Sequence, residues 1–389
     1  MKIAILTTNF PRWAGDFRVP FIIDAARALQ SKGHTIRIIT PHQPGSAKHE
    51  SIDGLEIIRV QYLSERFEVL QADAAGIPAA WEKGFLYKLS LIPFFLALCY
   101  SAGKYAKGFD IIHANWSLAG LAAYLSRPFH HCPYIVTIHG SDIFKTTGNF
   151  FLQLPVKIAL KNARNVIAVS EAISKACQEI GVSSDRIQVI PTGIDIQKFP
   201  YGDPDHRENR LLYVGSLIKR KGVIYLLKAM KKVKEEWPDY KLLIVGEGVL
   251  REELETYVHK NDLTNHVSFL GTKSQSDVAS LMRQSKLFIL PSTEEGQGAV
   301  LIEAMASGTP CIGSKTGGIQ HVITEDVGKL FIPADSESLL DAITLMIENE
   351  AFWKTASQIA RTRAVNLYSW NLLSEKIIDI YKNIVNDID

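Results

Sequence analysis

The sequence predicts a two-domain α/β protein of the doubly wound type, and three observations carry that reading. Short apolar runs rich in Val, Ile and Leu alternate with longer stretches of helical periodicity. The runs fall into two batches. Between the batches lies Thr192 to Asn209, a segment with glycine, proline and charge but no periodicity, which marks a linker. Aliphatic runs of four to seven residues suit strands buried on both faces of a parallel sheet, and their alternation with helices is the pattern of βαβ units.

In chain order, the first batch reads as strands at Lys2–Thr7, Thr35–Thr40, Leu55–Val60, Ile111–Ala114, Tyr134–His139, Asn165–Ser170 and Gln188–Pro191. The second reads as strands at Leu211–Gly215, Lys241–Gly246, Val267–Leu270, Leu287–Pro291 and Pro310–Gly313. Helical patterns at Pro20–Lys32, Val223–Glu236 and Arg251–Asn261 lie between them. The boundary is expected near residue 200, giving two Rossmann-like domains facing each other across a cleft lined by the C-terminal ends of their strands. Open α/β sheets bind ligands at that edge, so the chemistry is sought in the loops that follow strands.

Composition narrows the function. The 389 residues suggest two or three domains at ~150 residues each. With 47% hydrophobic and 22% charged residues the chain is that of an ordinary soluble globular protein. Its 43 basic and 41 acidic residues leave a net charge of +2, so no general affinity for nucleic acid is expected and anion binding must be local. Cys99, Cys132, Cys177 and Cys311 are scattered without a C-x-x-C pair, which argues against structural zinc and a disulfide framework and fits a reducing cytosol. The opening MKIAILTTNFPRW reads as a buried strand rather than a secretory signal. Phe85 to Tyr100, flanked by Lys83, Lys104 and Lys107, has an apolar core too short for the ~20 residues that span a bilayer. It is either a helix buried in the core or an interfacial helix with its lysines toward anionic lipid.

Two post-strand loops stand out. In LLYVGSLIKRKGVIYLLKAM, Lys219, Arg220 and Lys221 precede Gly222 and a helix. Cations at a helix N-terminus oppose its dipole, and a bound phosphate remedies this; a solvated basic turn is the plain alternative. In STEEGQGAVLIEAMASGTP, Glu295 lies in a glycine turn with Gly296 and Gly298, and Glu303 lies about one turn into a helix beginning near Ala299. Read alone, the pair is either a helix cap with a structural carboxylate or a site for sugar hydroxyls, which carboxylate oxygens accept well.

These motifs, with Gly317-Gly318 downstream, resemble the family-four retaining glycosyltransferases of the GT-B fold. The resemblance runs through FPRWAGDFRVPF with Gly15, VTIHGSD, VIAVSEAI, VIPTGID, VGSLIKRKG, LLIVGEG, VSFLG, the Glu-x7-Glu block and YSWNLLSEKIIDIY, in order. It implies an acceptor-binding domain over residues 1–200, a nucleotide-sugar-binding domain over 201–365, and a closing helix over 366–389 that packs back on the first domain. The implied reaction moves a hexose-type sugar, with retention, from a nucleotide-diphosphate sugar to a glycan, glycolipid or lipid-linked acceptor, in synthesis of cell-surface polysaccharide or glycoconjugate.

By the same resemblance Glu303 binds the donor ribose, Glu295 lies near the sugar hydroxyls, Lys221 holds the diphosphate and His139 faces the sugar. Catalytic roles thus fall on His139, Glu295 and Lys221. Donor contacts fall on Gly15, Ser216, Arg220, Lys221, Gly296, Gln297, Gly298, Ala299 and Glu303. No metal and no cofactor beyond the donor is implied; the D-x-D triplets at Asp203 and Asp387 lie in the linker and at the C-terminus, and both are discounted. The expected location is cytoplasmic, at the inner face of a membrane if 83–107 touches it. Ser216 stands where the family has arginine, Gln297 where an aromatic or leucine is commoner, Asp16 where many members have glycine, and Thr192 where asparagine is usual. An epimerase or hydrolase of nucleotide sugars, or a non-catalytic nucleotide-sugar-binding protein, is the alternative on this scaffold.

Overall fold

A computed structural model of the chain describes residues 1–13, 19–70, 85–140, 143 and 150–387. They form two compact units, one of Met1–Pro191 with Trp370–Asp389 and the other of Thr192–Ser369. The division falls earlier than residue 200, and the segment that reads as a linker belongs to the second unit. Its aperiodic backbone is held by half-buried guanidinium groups. Arg207 donates to the carbonyls of Gly202, Met282, Ser285 and Ser307 and to Oγ1 of Thr309. Arg361 donates to the carbonyl of Phe199 at 2.7 Å. Sequence periodicity carries no trace of such fixing, because the bonds run to distant backbone.

The first unit contains β1 (Lys2–Thr7), α1 (Pro20–Ser31), β2 (Thr35–Pro41), β3 (His49–Ile52), β4 (Leu55–Val60), α2 (Phe85–Tyr105), β5 (Ile111–Asn115), α3 (Ser117–His130), β6 (Tyr134–Ile138), α4 (Phe150–Lys161), β7 (Asn165–Ala168), α5 (Glu171–Glu179) and β8 (Ile187–Val189). Strand order is β3-β4-β2-β1-β5-β6-β7-β8, parallel except for the β3–β4 hairpin. Register is set by aliphatic rows such as Ile36, Ile3 and Ile111 across three strands. One face of the sheet packs Ala4, Leu6, Ile112, Val136 and Val166 against Leu98, Ala122 and Ile173 of the helices. The other packs Ile3, Ile5, Ile38 and Ile135 against Ile22, Ala26 and Leu29 of α1.

The second unit contains β9 (Glu208–Val214), α6 (Val223–Glu236), β10 (Lys241–Val245), α7 (Arg251–Lys260), β11 (Val267–Gly271), α8 (Gln275–Gln284), β12 (Ser285–Leu290), α9 (Ala299–Ala306), β13 (Cys311–Ser314), α10 (Ile319–Val322), β14 (Gly328–Phe331), α11 (Ser336–Glu348) and α12 (Glu350–Tyr368). Its six parallel strands run β11-β10-β9-β12-β13-β14 over a single core. α13 (Trp370–Asn386) then packs Leu373, Ile377, Tyr381 and Ile384 into the α1 side of the first unit. Tyr381 reaches through that layer, its hydroxyl 2.5 Å from Nδ1 of His113, whose Nε2 lies 2.6 Å from Oγ1 of Thr137. Burial pushes His113 down to about 4.

Two strands have no counterpart in the sequence reading. β3 carries His49 and Glu50 on a half-exposed edge and owes its place to the turn at Asp53-Gly54, both at positive φ. β14 is four residues long, with Lys329 and Leu330 only half-buried. Short edge strands lack the continuous apolar signature of central ones.

Candidate active site

In each sheet the strand order reverses beside the first strand of the unit, and ligands of open α/β sheets bind at such a point. In the second unit the reversal lies between β9 and β12. The loop after β9 carries Ser216, Arg220 and Lys221, and the loop after β12 carries Glu295 to Gly298. They are stapled together. The N–H of Thr293 donates to the carbonyl of Arg220 at 2.7 Å, with its hydroxyl 3.2 Å from the same oxygen. Gly222, at φ +65, lies so close that an added Cβ would meet the Pro291 carbonyl at 2.0 Å. Only glycine allows both the left-handed turn and that approach.

The staple brings Lys221 onto Glu295. The ammonium donates to Oε2 of the carboxylate, which also accepts from the Ser292 hydroxyl at 3.3 Å. Both side chains are largely out of water, 15% and 13% exposed. Burial alone raises the Glu295 pKa, but the charge and hydrogen bond of Lys221, the charge of Arg220 and the Gly296 N–H together hold it below the ordinary carboxylate range. The site therefore keeps a fixed anion against a fixed cation.

A third loop, after β13, closes against this turn. The Ser314 hydroxyl donates to the Ser292 carbonyl, and the Gly318 N–H to the Glu295 carbonyl at 3.3 Å. A Cβ on Gly317 would meet the Glu295 carbonyl at 1.8 Å, which explains the glycine pair downstream of the carboxylates. Gly298 is left-handed and leads into α9 with no side-chain cap, so the amides of Ala299 and its neighbours begin an uncapped helix. Along α9, Leu301, Ile302, Ala304, Met305 and Ala306 are buried; Glu303, half-buried, is the single charged residue of the helix.

Ser216 and Gln297, where the sequence differs from what the resemblance implies, each have a definite local setting. The Ser216 carbonyl accepts from the Tyr213 hydroxyl at 3.0 Å, so the turn rests on a buried phenol whose pKa is raised by burial and by Glu295. Arg220 extends to the Glu294 carbonyl at 3.4 Å and lies near enough to bias Glu295. Gln297 is only 5% exposed. Its Oε1 accepts from the Thr192 N–H at 2.7 Å, and its Nε2 lies 3.4 Å from the Thr192 carbonyl. Both ends of the amide are thus taken by backbone.

In the first unit His139 follows β6. Its Nε2 lies 3.0 Å from Oδ1 of Asn115, and its ring is tilted against Trp116 at 4.8 Å and Phe21 at 5.0 Å. Desolvation first, then the charge of His113, push His139 down to about 3, so the ring is neutral. With Nε2 donating to Asn115, the lone pair is on Nδ1. Trp116 has φ 70 and ψ 152, a conformation costly for any residue with a side chain. Asn115 and Trp116 were not singled out in the sequence. Their signal was nonetheless present, since Asn115 ends the buried strand IIHAN and Trp116 leads from it into a helix.

Gly15 and Asp16, Ser141 and Asp142, Lys83, and Asp389 lie outside the described residues. Among the described residues no cluster of His, Cys, Asp and Glu is arranged to hold a metal ion. Asp203 instead caps the Asp205 N–H and meets His206, and Asp205 pairs with Lys354 at 2.8 Å.

Two parallel-sheet units of this construction are the halves of the GT-B fold of glycosyltransferases. The family description Glycosyl transferases group 1 matches residues 196–363, and Glycosyltransferase Family 4 matches residues 20–198. A phosphatidyl-myo-inositol mannosyltransferase of Mycolicibacterium smegmatis is 30% identical over 284 residues, 71% of this chain and 72% of that one. The chain belongs to the glycosyl transferases group 1 family. Among solved structures, sucrose-phosphate synthase from Thermosynechococcus elongatus is similar with a TM-score of 0.81 at 24% identity, covering 99% of both chains. Anabaena HepE, solved with UDP-glucose, has a TM-score of 0.75 at 20% identity over 98% of this chain and 100% of that one.

Proposed function

We propose that the chain is a retaining glycosyltransferase that transfers a hexose-type sugar from a nucleotide-diphosphate sugar to a glycan, glycolipid or lipid-linked acceptor. The observation that carries the reading is the Lys221–Glu295 pair at the β9/β12 switch point, beside the uncapped start of α9. A diphosphate gathers negative charge as it leaves. Lys221, Arg220 and the α9 amides offer it preorganised positive charge, which stabilises the transition state more than the ground state. Glu303 accepts hydrogen bonds from the ribose hydroxyls, and Glu295 orients Lys221 and accepts from the sugar. Gln297 contributes its backbone position between Gly296 and Gly298, and Ser216 leaves Arg220 as the second cation. The resemblance assigns Gly15 to the donor and His139 to the transferred sugar, where a neutral Nδ1 suits it to accept from a hydroxyl.

In the retaining step the bond from the anomeric carbon to the phosphate oxygen breaks as the acceptor hydroxyl bonds to the same face. The acceptor proton passes to the departing phosphate oxygen. No residue needs to change covalent state in this scheme. The HepE complex with UDP-glucose and the mannosyltransferase relative support the donor class. The test is incubation with a panel of nucleotide sugars, with and without lipid and glycan extracts, reading free nucleoside diphosphate and the anomeric configuration of the product. Acceptor-dependent release with retention is expected. Inversion, or release that no acceptor stimulates, sinks the proposal.

A further inference from the structure

α2 is apolar on two opposite sides. Phe94, Leu98 and Ala102 are buried in the first unit, whereas Leu89, Ile92, Leu96 and Tyr100, three or four residues apart, stand in solvent, Leu96 at 61% exposure. A surface helix normally turns a polar face outward. Leu125 and Phe129 of α3 extend the strip, Phe129 at 69% exposure. Between the two helices lies a groove of about 530 Å³ whose walls include Tyr100, Gly103, Leu125 and Phe129 together with Lys104 and Lys107. Large contiguous apolar patches of this kind mark an interaction surface.

The charges around the strip select the occupant. Lys88, Lys104, Lys107 and Arg127 are all exposed. From Phe85 to Gly140 the only carboxylate is Asp110, and it accepts the backbone N–H of Lys2 at 2.7 Å. Lys104 carries its ammonium over the Tyr100 and Tyr105 rings at 5.6 and 4.9 Å, an aromatic and cationic rim suited to an interface that is apolar on one side and anionic on the other. The 21-residue helix is not long and apolar enough to cross a membrane.

We propose that this face docks on a bilayer surface containing anionic phospholipid, with the six exposed apolar side chains in the headgroup boundary and the four cations on lipid phosphates. The geometry is that of a helix lying in the interface plane. The proposal does not depend on the sugar-nucleotide reading.

The experiment is co-sedimentation of the full chain with vesicles of phosphatidylcholine alone and of phosphatidylcholine with about one third phosphatidylglycerol. Binding is expected to the anionic vesicles and not to the neutral ones. Lys104→Ala with Lys107→Ala should weaken it by about fivefold for each lysine. Leu96→Ser with Phe129→Ser should abolish it, and because both side chains are already in solvent, these variants should keep the parent circular dichroism and urea midpoint. Inorganic phosphate should not displace the protein from vesicles. Failure to bind, equal binding by the variants, full displacement by phosphate, or a dimer that Phe129→Ser disperses in sedimentation velocity would overturn the proposal.

Discussion

The ammonium of Lys221 and the carboxylate of Glu295 form a hydrogen-bonded ion pair between the loops that end β9 and β12. Neither residue is held by its own loop alone. The Thr293–Arg220 backbone bond and the close packing of Gly222 on Pro291 set the distance between them.

Lys221→Ala should lower kcat by about two to three orders of magnitude while changing donor KM much less, since the cation matters most when charge develops on the leaving group. The same change removes the largest downward influence on Glu295, so its pKa should rise. Steady-state kinetics and the acid limb of the pH profile are the measurements. A rise in KM with kcat intact opposes this assignment.

On the ribose-binding role proposed for it, Glu303→Ala should weaken nucleoside-diphosphate binding by about tenfold or more, the loss of a charged acceptor costing about 1.5–3 kcal/mol. Glu303→Gln should fall between the two. Calorimetric titration measures it, and equal affinity for all three proteins refutes the role.

Gln297→Leu tests the clamp on Thr192. The substitution leaves the Thr192 N–H without its acceptor in a buried setting, at a cost of about 1–3 kcal/mol in urea unfolding. Gln297→Glu should be no better, since it retains the acceptor but turns a second oxygen toward the Thr192 carbonyl. Unchanged stability in both would show that the amide is not needed there.

Acid should destabilise the first unit through His113. The fold keeps this ring neutral with a pKa of about 4, whereas the unfolded chain protonates it near 6.5. Between those values the unfolded state binds more protons, so stability falls as pH is lowered, by about 1.4 kcal/mol per pH unit for this one group. Urea midpoints compared between the parent and His113→Asn should show a shallower slope in the variant. Parallel slopes contradict the linkage.

The central strands, the start of α9 at Ala299 and the loops that bear Lys221 and Glu295 were legible because buried parallel strands and post-strand glycines leave local marks in sequence. Partners were not. Nothing in the order of residues says that Gln297 spends its amide on a backbone 105 positions away, or that Arg207 fills a linker with hydrogen bonds. Trp116 was missed for a different reason: its left-handed backbone is imposed by the turn from β5 into α3, and tryptophan gives no hint of such a conformation. β3 and β14 escaped because half-exposed edges tolerate polar residues.

The return of α13 makes the second unit an insertion within the first, entered at Thr192 and left at Ser369. At that neck Ile194 donates to the Tyr368 carbonyl at 2.8 Å and bridges Ser369 in parallel, so entry and exit lie side by side. During synthesis, which proceeds from the N-terminus, the inserted unit is complete while Trp370, Leu373, Ile377 and Tyr381 are still to come. The half of the protein made first is therefore the last to be sealed. A ribosome stalled before residue 370 should leave a finished insert on a host whose α1 face is still open to water.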